Sequence, residues 1–168
     1  MAWFKKLFVV TLLMLALGGC VRYSFKGALP PDVQTIAIAP FEDASRFQWG
    51  GLRETFNTLL VDAFIQDNTL KVVNSPQNAD LYLTGKIVSI QEQKSAISPT
   101  EQVQQIQLYL TVDVTCINQH TEKVFWKGTI RRNLPIEGAG TLEEKNAILI
   151  KLSEMIVEDV VNKIIAAW

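Results

Sequence analysis

The sequence has few of the residues that most often carry chemistry. It contains one histidine, His120, and two cysteines, Cys20 and Cys116, among 168 residues. No His/Cys cluster therefore has the spacing of a metal site, and neither a nucleophile elbow nor a phosphate-binding glycine loop occurs. His120 falls between polar residues of a predicted hairpin turn, where we expect a solvated side chain. These absences favour a protein that is not an enzyme and that needs no metal or cofactor.

Apolar runs of membrane-spanning length are also missing. The most apolar stretch, Leu7–Leu17, has eleven residues without a charge. As a helix it would span roughly 16 Å, about half of a bilayer core. It follows Lys5 and Lys6, so it has the charge pattern of a secretory signal, and we predict that residues 1–19 are a signal peptide.

The signal ends in a sequence that resembles a bacterial lipoprotein box. Leu17-Gly18-Gly19-Cys20 places small residues directly before a cysteine. The resemblance implies that Cys20 is acylated and begins the mature chain, which would be anchored to the membrane without spanning it. The alternative is an ordinary secretory signal followed by an incidental cysteine.

Charge of either sign is not in large excess. Removing residues 1–19 leaves 149 residues with 14 Lys and Arg against 17 Asp and Glu, a net charge of about −3. A nucleic-acid binder would need a basic surface, so we expect no nucleic-acid partner. The length suits one domain. We predict a lipidated tether over residues 20–32 and a single domain over 33–168, in which Cys116 is a buried, inert thiol.

Hydrophobic periodicity predicts an α+β domain. Residues 106–116 alternate strictly between apolar and polar side chains, which is typical of a strand with one buried face. Residues 52–64 and 148–164 carry apolar stripes of helical spacing, and Thr141 with Glu144 forms a capping-box pattern before the second stripe. The predicted order is β-α-β-β-β-β-α. It indicates a two-layer sandwich with a mostly antiparallel sheet and two helices on one face.

One strand pattern carries a candidate binding surface. Lys123, Lys127 and Arg131 alternate around Phe125, so period two predicts that all four share one sheet face. Cations and an aromatic ring could bind the phosphates and acyl chains of a lipid. The alternative is a solvated face whose cations pair across strands with acids such as Asp113.

The order of these segments resembles the LPS-assembly lipoprotein family, LptE. The lipobox cysteine is followed by "YSFKGALPPDVQTIAIAPFED", and a long strand near "LYLTGKIVSI" precedes the alternating strand, a hairpin and a last helix. The resemblance implies a non-enzymatic lipoprotein on the periplasmic side of the outer membrane. It would plug the β-barrel LptD and help to move lipopolysaccharide to the outer leaflet, with lipopolysaccharide itself as a candidate ligand. Family members that bind this lipid have bases in the turn between the two long strands and just before the last helix. This chain departs from that pattern, because it has only Lys94 near the first turn and no base before Lys145 in the second.

A second resemblance comes from another functional class. "TIAIAPFED", "LKVVN" and "ADLYLTGKI" are similar to periplasmic lipoproteins related to penicillin-binding-protein activators and curli-secretion proteins. These would regulate a cell-wall synthase or form a secretion ring. A long strand pair over residues 81–97 and 103–117 is expected for the LptE family, whereas shorter strands are expected for the other.

The lipoprotein box generates the first testable prediction. Replacing Cys20 by Ser removes the thiol that would be acylated, so the variant should accumulate as an unprocessed or unacylated precursor. Metabolic labelling with a radioactive fatty acid measures this directly. Acyl label that persists on the Cys20→Ser chain would show that the box is assigned to the wrong residue.

Overall fold

A computed structural model of the chain describes its main domain. The described residues are 29–30, 32–46, 50–94, 105–137 and 140–167. The predicted signal peptide, Cys20 and most of the tether lie outside them. Within these ranges the chain forms a mixed, mostly antiparallel sheet with two helices packed on it, which confirms the predicted α+β class.

The helices and strands follow the predicted order with one addition. The strands are β1 (Thr35–Ile38), β2 (Glu42–Asp43), β3 (Lys71–Val73), β4 (Leu81–Lys94), β5 (Gln105–Asn118) and β6 (Lys123–Glu137), and the helices are α1 (Leu52–Asp67) and α2 (Leu142–Ile165). The addition is β2, a strand of two residues. Pro40 interrupts the first strand because it has no N–H to donate, and the chain then pairs again with β4 as β2.

The sheet has the order β3-β1-β4-β5-β6, with β2 beside β4. β4, β5 and β6 are antiparallel neighbours, whereas β1 is parallel to both β3 and β4. A parallel pair needs a crossover, and α1 supplies the one between β1 and β3. Both helices are antiparallel to β1. They lie side by side and run in the same direction.

The core lies between the sheet and the helices. In β5 the alternate residues Leu108, Leu110, Val112 and Val114 are at most 1% exposed, as their period-two spacing predicts. Cys116 continues this row, and burial raises the pKa of its thiol to about 12. The thiolate form is therefore negligible at neutral pH, which is consistent with a structural, unreactive cysteine.

Two local features position these layers. A Cβ atom at Gly85 would overlap the ring of Phe41 and lie 2.5 Å from the carbonyl oxygen of Asp113, so this position of β4 is a close-packing point. At the start of α2, the Thr141 side chain accepts from Glu144 N at 3.2 Å, and the Glu144 carboxylate accepts from Thr141 N at 2.7 Å. The capping box predicted from the sequence is thus confirmed.

A β-bulge in β6 corrects one prediction. Cys116 faces Trp126 across the ladder and Ile117 faces Val124, which leaves Phe125 without a partner. The extra residue breaks the period-two alternation. Phe125 and Trp126 both pack against the core.

Between the start of β6 and the bulge, each side chain lies on the sheet face opposite to the one that strict alternation predicts. Lys123 is opposite Asn118, on the helix side of the sheet, and Val124 points to the other side, where it is 59% exposed. The prediction that Lys123 and Phe125 share a face with Lys127 and Arg131 is therefore wrong. Of the four residues, only Lys127 and Arg131 share a sheet face as predicted.

The register of β5 can be tested by paired substitutions. Leu110→Asp would bury an unpaired carboxylate at a cost of several kcal/mol, a large part of the about 5–15 kcal/mol stability of a domain. Thr111→Asp, one residue along, would place the same charge on the polar face opposite Arg131. We expect a large fall in melting temperature for Leu110→Asp and a small change for Thr111→Asp. Equal losses in the two variants would contradict the register.

Candidate functional site

The sheet face turned away from the helices is the candidate site, and we name it the outer face. β4, β5 and β6 form it, and in β5 it consists of the residues that alternate with the core row. These are polar or aromatic and partly buried, and they comprise Gln107, Tyr109, Thr111, Asp113 and Thr115. Because directly opposite residues point to the same side, the neighbouring strands contribute matching polar side chains.

Arg131 is the most organised cation of this face. Its guanidinium carbon lies 4.1 Å from the centre of the Tyr109 ring, a cation–π contact. Tyr109 is diagonal to Arg131 in the ladder, since Thr111 is directly opposite. The planar guanidinium therefore stays exposed while its position is restrained by the ring.

Other cross-strand pairs stiffen the outer face. Thr129 donates to the Asp113 carboxylate at 2.6 Å, and the Asn133 amide donates to Gln107 at 2.9 Å. The ion pairs found among the described residues do not include Lys127 or Arg131. The alternative in which these cations pair with Asp113 is thus not what the structure shows.

A shallow groove of about 410 Å³ crosses the outer face near the start of β4. Two cations, Lys86 and Lys127, and two acids, Glu42 and Asp113, line it. The groove lies where Ala39 and Pro40, between β1 and β2, run beside the outward side chains of Thr84 and Lys86. This arrangement offers alternating charges to a polar partner.

The remaining predicted site residues lie elsewhere. Lys94 is opposite Ile106, a residue packed on the core, so it is on the helix side, as Lys123 is. Phe125 packs against the core. The structure therefore brings together Lys127 and Arg131, and it separates them from Lys94, Lys123 and Phe125.

Sequence reasoning placed Tyr109 on the polar face of β5 but missed its contact with Arg131, and it missed Lys86 of β4 altogether. Tyr109 and Lys86 come from β5 and β4, and they meet the β6 cations only through the strand register. The signal available was their outward position in alternating strands.

Arg132 lies on the helix side of the sheet. It makes a bidentate ion pair with Asp159 of α2, at 2.6 and 2.7 Å. This pair raises the pKa of Arg132 and ties the sheet edge to the helix.

A second polar cluster lies at the opposite end of the strands from the β4–β5 connection. Asp80 accepts from the backbone N–H groups of Gln34 and Thr35 and from the Thr35 hydroxyl, at 2.7 to 2.9 Å. His120 Nε2 is 2.7 Å from its other oxygen. Burial opposes ionisation of Asp80, but the hydrogen bonds outweigh it and hold its pKa well below the ordinary range. The predicted hairpin-turn position of His120 is confirmed, and its ring is hydrogen-bonded to Asp80 in this cluster.

Comparison with known proteins identifies the fold's family. A family model described as LptE, lipopolysaccharide-assembly, matches residues 33–164. The chain belongs to the LptE family. This family is non-enzymatic, and the protein is an LptE-family lipoprotein involved in lipopolysaccharide assembly. No curated protein sequence matches the chain.

Solved structures share the fold of this LptE-family protein at low sequence identity. A Xanthomonas campestris protein is 10% identical, with a TM-score of 0.58 over 82% of this chain and 90% of its own. Lipoprotein B from Nitrosomonas europaea is 16% identical, with a TM-score of 0.54 over 82% and 84%. A PelC dodecamer from Paraburkholderia phytofirmans, solved as a point variant, is 11% identical, with a TM-score of 0.54 over 83% and 94%. At these identities the likeness concerns the fold.

Two further observations describe this LptE-family domain. Neither α1 nor α2, the helices that the structure describes, has the length and apolar character needed to cross a bilayer. Within the same residues, no set of three or more His, Cys, Asp or Glu side chains is arranged to hold a metal ion.

The Asp80 cluster predicts a pH-dependent stability. Asp80→Asn removes the charge that three donors stabilise, so we expect a loss of about 2 kcal/mol at pH 7. Because the pKa of Asp80 is lower in the folded state, its contribution is fully present above the unfolded pKa of about 3.9, and it is lost progressively as the pH falls from there through the folded-state pKa. Thermal unfolding from pH 7 to pH 3 should show a constant difference between the two chains down to about pH 4 and a smaller difference at pH 3. A constant difference across this range would contradict the role of the ionised carboxylate.

Proposed function

We propose that this protein is the lipid-anchored plug of the outer-membrane β-barrel LptD. In this proposal the acylated Cys20 holds the domain on the periplasmic side of the outer membrane. The domain sits in the barrel lumen, assists assembly of the barrel and takes part in moving lipopolysaccharide to the outer leaflet. No covalent chemistry is required of it.

The family match over residues 33–164 is the observation that carries this proposal. The chemistry of the outer face agrees with it, because the interior of a transmembrane barrel is polar. A plug therefore needs a rigid surface that offers hydrogen bonds and charges. The Thr129–Asp113, Asn133–Gln107 and Arg131–Tyr109 pairs provide such a surface, with the side chains already held in place.

The structure also bears on the alternative of a cell-wall-synthase regulator or secretion pore. β4 and β5 have 14 residues each, as expected for the LptE family. The likeness to the PelC dodecamer concerns a fold shared at 11% identity, and it provides no shared interface. The plug therefore remains the better-supported function.

Within this function we assign Lys127 and Arg131 to partner contact. Both are exposed on the outer face, and neither has an acid partner among the described residues. Exposed cations without a local partner can pair with acids of the barrel wall or with lipid phosphates. The restrained geometry of Arg131 favours the wall, because a preorganised side chain loses less freedom on binding.

Substitution of the two cations tests the assignment. Lys127→Ser with Arg131→Ser should recover less LptD in a pull-down from detergent-solubilised outer membrane. The melting temperature should change little, because exposed substitutions stay within about 0.5 kcal/mol. Lys151→Ser with Lys163→Ser, on the exposed side of α2, is the control with the same change of charge.

Three outcomes are informative in this comparison. Loss of LptD for the outer-face variant alone supports the wall contact. Normal LptD recovery with weaker, salt-sensitive lipopolysaccharide binding would assign the cations to phosphates and overturn the wall contact. Normal behaviour in both assays would leave the outer face without this function.

A further inference from the structure

The helix layer carries a groove that the proposed function does not use. It runs between the C-terminal halves of α1 and α2 and has a volume of about 460 Å³, within the usual range for ligand clefts. Its floor is apolar and consists of Leu59, Ala63, Val157 and Val161. It lies on the opposite side of the domain from the outer face.

The rim of this groove is acidic. Four carboxylates line it, those of Asp62, Asp67, Glu154 and Glu158, and no Lys or Arg side chain does. None of the four belongs to an ion pair found among the described residues. An apolar floor with such a rim is complementary to a segment that combines cations with aromatic or aliphatic side chains.

Two of these carboxylates also lie at a spacing that is electrostatically unfavourable within a helix. Glu154 and Glu158 are four residues apart, a spacing at which like charges destabilise a helix. Asp67 lies in the last turn of α1, which has no basic residue, and its Oδ1 accepts a hydrogen bond from Thr69 N at 3.1 Å. A cation in the groove would reduce the repulsion between the neighbouring carboxylates.

A segment of this chain has the matching composition. Residues 21–28 read "VRYSFKGA". In an extended chain Val21, Tyr23 and Phe25 would share one side, with Arg22 and Lys26 on the other. The segment thus has three apolar side chains for the floor and two cations for the rim.

The described chain begins within reach of the groove. Leu29 packs against the core, and Lys71 N donates to Gln34 O at 2.9 Å, so the chain reaches β1 beside the start of β3. Asp67, at the end of the groove, is four residues before Lys71. Residues 21–28 extend over roughly 27 Å at most, whereas the groove follows α1 from Asp67 to Leu59 for roughly 12 Å. The reach is sufficient.

We propose that residues 21–28 dock in the groove between α1 and α2, with Arg22 and Lys26 paired to its acidic rim. Because the segment is covalently attached, its effective concentration is high and modest contacts suffice. Docking would hold the start of the mature chain along the helix layer. The inference goes beyond the barrel-plug function and does not depend on it.

Crosslinking in the full mature chain tests the docking. Phe25→Cys with Gln66→Cys on the groove rim should form an intramolecular link with a short bismaleimide, while Cys116 is buried and unreactive. The matched control is Phe25→Cys with Gln77→Cys, an exposed glutamine in the Pro76–Asn78 turn, which packs beside β1. We expect at least a fivefold preference for Gln66→Cys, with the linked peptides identified by mass spectrometry.

Charge reversal separates docking from chance proximity. Glu158→Lys should reduce the Gln66 link several-fold, and adding Arg22→Glu should restore it. Equal linkage at positions 66 and 77 would overturn the proposal. Links between two chains would overturn it too, because they would assign the groove to a second copy. A link that is unaffected by Glu158→Lys would overturn the charge pairing.

Discussion

The strict alternation of β5 is the constraint on which the rest of the structure depends. The strand has neighbours on both sides, and its two faces require different surroundings. The apolar residues at alternate positions from Leu108 to Cys116 must be covered, so both helices lie on that side. The residues between them, at alternate positions from Tyr109 to Thr115, then form the outer face, because a slip of one residue would exchange the two sets. The candidate interface is thus fixed by the same pattern that builds the core.

Where alternation is unbroken, the sequence correctly predicted which side chains share a sheet face, and where a bulge intervenes it could not. Between Lys127 and Arg131 the ladder is regular, and both cations share the outer face as expected. At Phe125 one unpaired residue exchanges the faces, so Lys123 lies on the helix side. A bulge depends on the partner strand and on the turn. Neither is visible in the spacing of one segment.

The same distinction applies to the fold. The capping box at Thr141 and Glu144 is local, and its pattern alone predicts it. By contrast, the parallel pairing of β1 with β4, the short β2 and the Arg132–Asp159 ion pair join residues distant in sequence. Such contacts follow from the topology once it is known. The order of helices and strands was predictable for this reason, whereas the partners of individual charges were not.

Side-chain placement explains how related folds can have different functions. Structures that share this architecture at 10–16% identity need a buried row like that of β5, and many apolar side chains satisfy it. The outer face has no such requirement, because solvent or a partner can accommodate almost any polar residue. Here its pairs are cross-linked by hydrogen bonds and a cation–π contact, so the face is rigid as well as polar. Rigidity lowers the entropic cost of binding a partner of fixed shape. Members of the fold that bind different partners should therefore differ most on this face and least in the row behind it.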